Sequence, residues 1–283
     1  MRFGINTFLF ASPFTNQTTR LFPKFRRWGF DSVEIAVEDP AHIDPAFVKQ
    51  KLEENGLVCG SVSACFGPDR DLRGTVTQQK ATVRYVTRLL EQMAVLDCPT
   101  LIGPLYSCVG RADAVPAPER RRQWRTVAQH LRTLARTAEE GGRKICLEPL
   151  NRFETDFINT CEQARQMVGE VGSPALKILL DTFHMNIEEK SPADAIRQAG
   201  SRLGHLHACG SDRGTPGRDH TDWKSIAQAL RDIRYTGDVV IESFTPDVKV
   251  IARAAAIWRR IEPTRDEIAV NGLAFLRKLL LKP

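Results

Sequence analysis

The sequence predicts one α/β domain, a single (β/α)8 barrel over residues 1–283. Three observations carry that expectation. Eight short apolar runs alternate with helical patterns from end to end. The runs are rich in Val, Ile, Leu and Cys, as strands buried on both faces require. A chain of 283 residues with no Pro/Gly/Ser-rich linker and no internal repeat suits one barrel of about 250 residues better than two small domains. A doubly wound open sheet would share the alternation, so the count of eight decides.

The strand runs are 3–7, 32–35, 57–64, 100–103, 144–147, 176–180, 203–207 and 239–241. Helical periodicity falls at about 17–28, 45–55, 75–96, 117–141, 160–171, 191–200, 222–233 and 264–281. Asp44-Pro45 and Ser191-Pro192 each read as an N-cap followed by proline in the first turn. Gly56, Gly142 and Gly200 stand where helices end on a left-handed residue. The irregular stretch 107–118, after the fourth run, is expected as a loop on the face where barrels carry their sites.

Composition narrows the classes. At 42% hydrophobic and 26% charged residues, the chain is neither disordered nor fibrous, and no apolar run approaches the roughly 18 residues of a membrane span. The first six residues lack an apolar leader, and seven cysteines without a CxxC pair favour reduced thiols, so a cytoplasmic setting is expected. A net charge of +6 invites nucleic acid as a partner. The densest basic stretch, 119–125, followed by Arg132, Arg136, Arg143 and Lys144, runs with Val127, Leu131 and Leu134 at helical spacing, so most of it can be a solvated outer face. No nucleic-acid partner is expected.

Chemistry is sought where the apolar runs end. The fifth ends in Glu148, the sixth in Asp181, the seventh in His207 and the eighth in Glu242. Any one of these could cap a helix. Four on consecutive strands converge on one mouth, where unpaired polar groups would cost stability. Three carboxylates and one imidazole suit Mn²⁺, Co²⁺, Mg²⁺ or Zn²⁺, and the lack of a thiolate disfavours a structural zinc. Glu148 and Glu242, from different sides of the mouth, can each move a proton at one carbon beside a carbonyl. His184 and Arg213 are placed to donate to a substrate oxygen. His207 is assigned inward and His205 to the other side of the strand.

These residues lie in Cys146-Leu-Glu-Pro-Leu-Asn-Arg-Phe-Glu-Thr155, Leu180-Asp-Thr-Phe-His-Met-Asn186, His207-Ala-Cys-Gly-Ser-Asp-Arg-Gly214 and Ile241-Glu-Ser-Phe244. On those motifs the chain resembles the ketose 3-epimerases of D-tagatose, D-allulose and L-ribulose, within the xylose-isomerase-like barrels. The resemblance implies a divalent ion, commonly Mn²⁺ or Co²⁺, held by Glu148, Asp181, His207 and Glu242. It implies that the two glutamates exchange the C3 proton of a free ketose through a cis-enediolate, and that Glu154, His184 and Arg213 bind the sugar's O1–O3 end. Asn6 and Cys108 stand near positions where relatives carry aromatics, so both are expected at a roomier or more polar far end of the substrate pocket. The resemblance also implies a homodimer or homotetramer; the apolar stripe of the last helix could make such a contact or close the barrel. The enzyme alternatives are an aldose–ketose or hydroxypyruvate isomerase and a 3-epimerase of a phosphorylated ketose. A trinuclear-zinc endonuclease on the same barrel needs more histidines at strand ends than six, with His42 and His130 in helical or loop segments, allow.

Overall fold

The computed structural model describes residues 1–281. Eight parallel strands close in chain order: β1 (Arg2–Asn6), β2 (Ser32–Val37), β3 (Val58–Ala64), β4 (Thr100–Gly103), β5 (Lys144–Leu147), β6 (Leu176–Asp181), β7 (Leu203–Ala208) and β8 (Asp238–Ile241), with β8 pairing back onto β1. Around them run α1 (Phe22–Trp28), α2 (Pro45–Glu54), α3 (Val76–Val95), α4 (Ala117–Glu140), α5 (Cys161–Val171), α6 (Thr182–Glu188), α7 (Pro192–Ala199), α8 (Trp223–Asp232), α9 (Lys249–Ala254) and α10 (Arg265–Leu280). The expected barrel is present, and the strand runs agree within a residue or two.

The differences have local causes. The helix expected at 17–28 becomes α-helical only from Phe22, since Pro23 has no amide to close a preceding turn; Asn16–Leu21 forms a 3-10 turn instead. Asp181 ends β6 and also caps α6, its Oδ1 accepting from Phe183 N at 2.8 Å, so a strand end hides a helix start. The short α9 carries no side-chain cap and was not anticipated. Gly56 and Gly142 take positive φ as expected, whereas Gly200 pairs a φ of 53° with a ψ of −131°, outside the left-handed helical region.

Two layers of packing result. Outward residues such as Ile145, Leu147, Ile178 and Leu180 join the main core beneath the helices, while Ile102, Cys146 and Leu179 form a separate small cluster. On α4, Val127, Leu131 and Leu134 are buried and Arg121, Arg125, Arg132 and Arg136 are exposed, the solvated basic face that was expected. Ile268, Leu273 and Leu276 of α10 are buried against the same barrel. The remaining inward positions are largely polar, and this shapes the site.

Two register shifts matter there. Between β2 and β3 the pairing passes from Val33↔Cys59 to Glu34↔Ser61, skipping Gly60; between β6 and β7 it passes from Ile178↔Leu203 to Leu179↔His205, skipping Gly204. A Cβ on Gly204 would lie 2.6 Å from Lys177 Cβ and 2.7 Å from Cys146 Sγ, so only glycine fits the bulge. Gly204→Ala should therefore lower stability by about 1–3 kcal/mol in urea unfolding. An unchanged midpoint would show that the bulge does not depend on glycine.

Candidate functional site

The parallel registers bring the strand ends together. Asn6 pairs with Glu34, and Asp181 with His207, across adjacent strands. Glu148 and Glu242 directly follow β5 and β8. The structure gathers Glu148, Asp181, His207 and Glu242 so that one ligand-type atom from each lies within 4.8 Å of the others, all four residues being buried. His207 Nδ1 faces Glu242 Oε2 at 3.2 Å, Glu148 Oε1 at 3.7 Å and Asp181 Oδ2 at 4.0 Å.

Arg213 is the cation of this cluster. Its Nη1 donates to Asp181 Oδ2 at 2.6 Å and reaches Glu242 Oε2 at 3.3 Å. The guanidinium lies between two rings, 4.2 Å from the Phe183 centroid and 4.8 Å from that of Phe244. Its backbone holds a φ of 66°, left-handed and costly for a branched-out side chain, in the turn after β7. His184 Nδ1 accepts from Asn151 N at 3.1 Å, so the ring proton belongs on Nε2. That Nε2–H sits 3.1 Å from Arg213 Nη2, also a donor. The two cannot bond each other and both remain available to one oxygen between them. Glu154 is held by Asn151 Nδ2 at 2.8 Å, and Arg152 turns outward to a bidentate pair with Glu188, so Glu154 is not the solvated partner of its neighbour.

Burial drives the electrostatics. It pushes the Glu148 carboxyl up to about 8, with Glu242 adding to the rise and His207 opposing it. It raises Asp181 despite Arg213. Glu242 moves the other way: burial is outweighed by His207 and Arg213, and its carboxyl is lowered. Burial, aided by Arg213, keeps His184 neutral, well below the ordinary imidazole range. Burial disfavours charge on His207 too, but Glu242 and Glu34 overcome it and hold that imidazole well above its usual value.

A cavity of about 340 Å³ opens above the cluster. Glu148, Glu242, His184, Arg213 and Glu154 all line it, so five of the expected site residues share one pocket floor. The rest of its lining is mainly apolar, with Phe8, Phe66, Val109, Phe244 and Ile251, and includes the polar Ser12, Glu38, Ser63 and Arg70. Three expectations need correction. Asn6 is fully buried below the cavity, donating from Nδ2 to Glu34 Oε1 at 2.7 Å and to Glu242 Oε1 at 3.0 Å, because its position ends β1 inside the barrel. Cys108 faces a neighbouring cavity, its Sγ 3.5 Å from Asp71 Oδ2, and its neighbour Val109 takes the place on the pocket wall. His205 shares the inner face with His207, since residues two apart on a strand point the same way; both rings approach Glu34 to 2.9 Å.

Glu34 was missed altogether. A single acid flanked by Ser32-Val33 and Ile35-Ala36-Val37 in a strand buried throughout was the available signal. Burial works to raise its carboxyl, but the charge on His207 and the close contacts of both imidazoles outweigh it and hold Glu34 well below the ordinary range. Phe183 and Phe244, the rings around Arg213, were also unforeseen.

Two ligand-capable clusters exist among the described residues, the four strand-end groups and the trio Glu34, His205 and His207. The first fits a divalent cation. Glu148 Oε1 and His207 Nδ1 are buried there without hydrogen-bond partners, and hard carboxylate oxygens with one imidazole are the donor set such ions take.

The xylose isomerase-like TIM barrel family model matches residues 22–279. A probable ketose 3-epimerase of Synechocystis sp. is 34% identical over 98% of this chain and 96% of its own. The D-psicose 3-epimerase of Enterocloster bolteae is 36% identical over 96% and 91%. The chain belongs to the ketose 3-epimerases. A crystal structure of a D-allulose 3-epimerase from Methylomonas sp., in complex with D-allulose, superposes on this family member with a TM-score of 0.92 at 28% identity, covering 99% of this chain and 97% of that one.

The pKa shifts make cation uptake by this ketose 3-epimerase family member proton-linked. Glu148, raised to about 8, and His207, also raised, must both give up protons to act as ligands. Mn²⁺ added to the chelated protein at about pH 7 should release about one to two protons per site, read by calorimetry in buffers of different ionisation enthalpy, and affinity should weaken as pH falls below about 8. Proton-neutral uptake with a flat pH profile would contradict the two shifts. A second check concerns Cys108: Cys108→Ser should leave turnover within about twofold, and a larger loss would return it to the pocket.

Proposed function

We propose that this protein epimerises free ketoses at C3, with D-tagatose, D-fructose or L-ribulose type substrates, using Glu148 and Glu242 as the two proton-transfer groups. The observation that carries the reading is the shared floor: both glutamates, His184, Arg213 and Glu154 line one cavity directly above the four-residue ligand cluster. Glu148, Asp181, His207 and Glu242 would hold the ion, Mn²⁺ or Co²⁺ foremost and Mg²⁺ or Zn²⁺ as alternatives. When bound, such an ion supplies Lewis-acid stabilisation of the negative charge that collects on the substrate's oxygens.

The chain's own groups do the rest. His184 Nε2–H and the Arg213 guanidinium, two donors 3.1 Å apart, would clamp an oxygen at the O1–O3 end, with Glu154 accepting from a neighbouring hydroxyl. One glutamate takes the C3 proton and the electron pair moves into the C2 carbonyl, giving a cis-enediolate. The other glutamate returns a proton to the opposite face of C3. The glutamate that accepted a proton then loses it to solvent and the donor regains one, so the cycle closes. The opposed shifts of Glu148 and Glu242 suit one carboxyl to give a proton and one to take it.

Turnover of D-fructose, D-tagatose and L-ribulose in deuterated water should place deuterium at C3. Label at C1 instead would make this an aldose–ketose isomerase. Chelation should abolish activity and Mn²⁺ or Co²⁺ restore it. Glu148→Gln and Glu242→Gln should each fold and lose about 10²–10⁴-fold in kcat. An active Gln variant removes that glutamate from the mechanism. No helix among the described residues is long and apolar enough to cross a membrane. We place the enzyme in the cytoplasm as a homodimer or homotetramer, for which the exposed Phe153 and Trp258 offer apolar surface; light scattering of the purified protein tests the assembly.

A further inference from the structure

We propose that Glu34 is a positioning residue for the cluster: it holds His207 with the proton on Nε2 and the lone pair of Nδ1 aimed at the cation site, and steers Glu242 through Asn6. This rests on the reading that Glu148, Asp181, His207 and Glu242 hold a divalent ion.

Glu34 sits in mid-β2, fully buried and at least two strands from the elements that carry the four ligands, and it meets them only through the closed interior of the barrel. Both of its oxygens are engaged by protein groups. Oε1 accepts from Asn6 Nδ2 at 2.7 Å and lies 2.9 Å from His207 Nε2. Oε2 accepts from Ser61 Oγ at 2.5 Å and meets His205 Nε2 at 2.9 Å, the latter without hydrogen-bond geometry. A carboxylate has about four lone-pair directions, and three of them meet hydrogen-bonding groups of the protein, with His205 close to the fourth. The trio Glu34, His205 and His207 therefore reads as a hydrogen-bond node, although its ligand-type atoms also lie within 4.8 Å of one another. The trio leaves one nitrogen, His205 Nε2, without a hydrogen-bond partner, whereas the strand-end cluster leaves two ligand atoms of different residues so, Glu148 Oε1 and His207 Nδ1, both facing the same point.

His207 joins the two clusters through its two ring nitrogens. A carboxylate on one nitrogen fixes the tautomer, freezes ring rotation and makes the other nitrogen a stronger ligand. Asn6 extends the control. Its Oδ1 accepts from Phe8 N at 2.7 Å, so Nδ2 is the amide's donor end, and that group bonds both Glu34 Oε1 and Glu242 Oε1. The register shift at Val33/Glu34 brings Ser61 beside Glu34 where an unbroken ladder would bring Gly60, so the bulge supplies the hydroxyl partner.

The test is Mn²⁺ affinity of the chelated full-length protein, measured by the paramagnetic resonance signal of free Mn²⁺. Glu34→Gln keeps the shape and removes the charge, and should weaken Mn²⁺ binding about 10–100-fold with the fold intact by circular dichroism. Binding within about twofold of wild type overturns the proposal. A wild-type protein that takes up no Mn²⁺ overturns the metal reading, and this inference with it, so the two failures are distinct. Should Glu34→Gln not fold, the wild type still decides. Loaded with Co²⁺, it should show a hyperfine-shifted imidazole N–H resonance that persists in water and vanishes in deuterated water, from the Nε2 proton held by Glu34. Absence of that resonance overturns the proposal.

Discussion

Negative charge concentrated inside the barrel governs this molecule. Glu34, Glu148, Asp181 and Glu242 are all buried, and an ionised carboxylate taken from water without compensation costs several kcal/mol. The interior answers with the Arg213 guanidinium and two imidazoles, and with a cation-binding geometry at the four strand ends. A left-handed arginine costs about 1–3 kcal/mol, less than leaving one of these carboxylates unpaired. The strained turn, the two aromatic walls around the guanidinium and the raised Glu148 carboxyl are consequences of the same constraint.

The barrel accommodates that charge by irregularity. Regular pairing would set Gly60 beside Glu34 and Gly204 beside Leu179. By bulging at both glycines, β3 and β7 bring Ser61 and His205 alongside instead, and each reaches Glu34. Glycine is required because the bulged backbone runs against Ser32 in one case and against Lys177 and Cys146 in the other. Packing at the strand interfaces and electrostatics in the lumen are thus linked by two residues that carry no side chain.

Strand alternation, helix periodicity and the residue terminating each of the last four strands were legible because each depends on local spacing. The barrel followed from the count, and Glu148, Asp181, His207 and Glu242 followed from the barrel. What escaped depends on contacts across the lumen. Glu34 lies in mid-strand rather than at a strand end, and only closure of the barrel brings it to His207, 173 residues away. Asn6 was assigned to the pocket from the resemblance, which carries no record of its partners, and so missed the network beneath the cavity. Cys108 failed for a different reason: in the loop between β4 and α4 a one-residue offset decides which of two cavities a side chain enters, and Val109 won that place. The face of His205 was a matter of period, which two-residue spacing settles the other way.

The pocket divides its work between a charged floor and a mainly apolar wall. Donors and acceptors crowd the floor, where His184, Arg213 and Glu154 can recognise hydroxyls by direction. Phe8, Phe66, Val109 and Ile251 line the wall and have no side-chain group able to read a hydroxyl's orientation, while Ser12 and Arg70 in the same lining are bonded to Glu38. An apolar surface rejects a misplaced hydroxyl by only about 10²-fold, whereas a site built to bond one rejects its absence by about 10⁴–10⁵-fold. Discrimination is therefore sharper for the part of a ligand seated over the cluster than for the part against these apolar side chains. The residues that bury the charge are the same ones that define which end of a polyhydroxylated ligand is held.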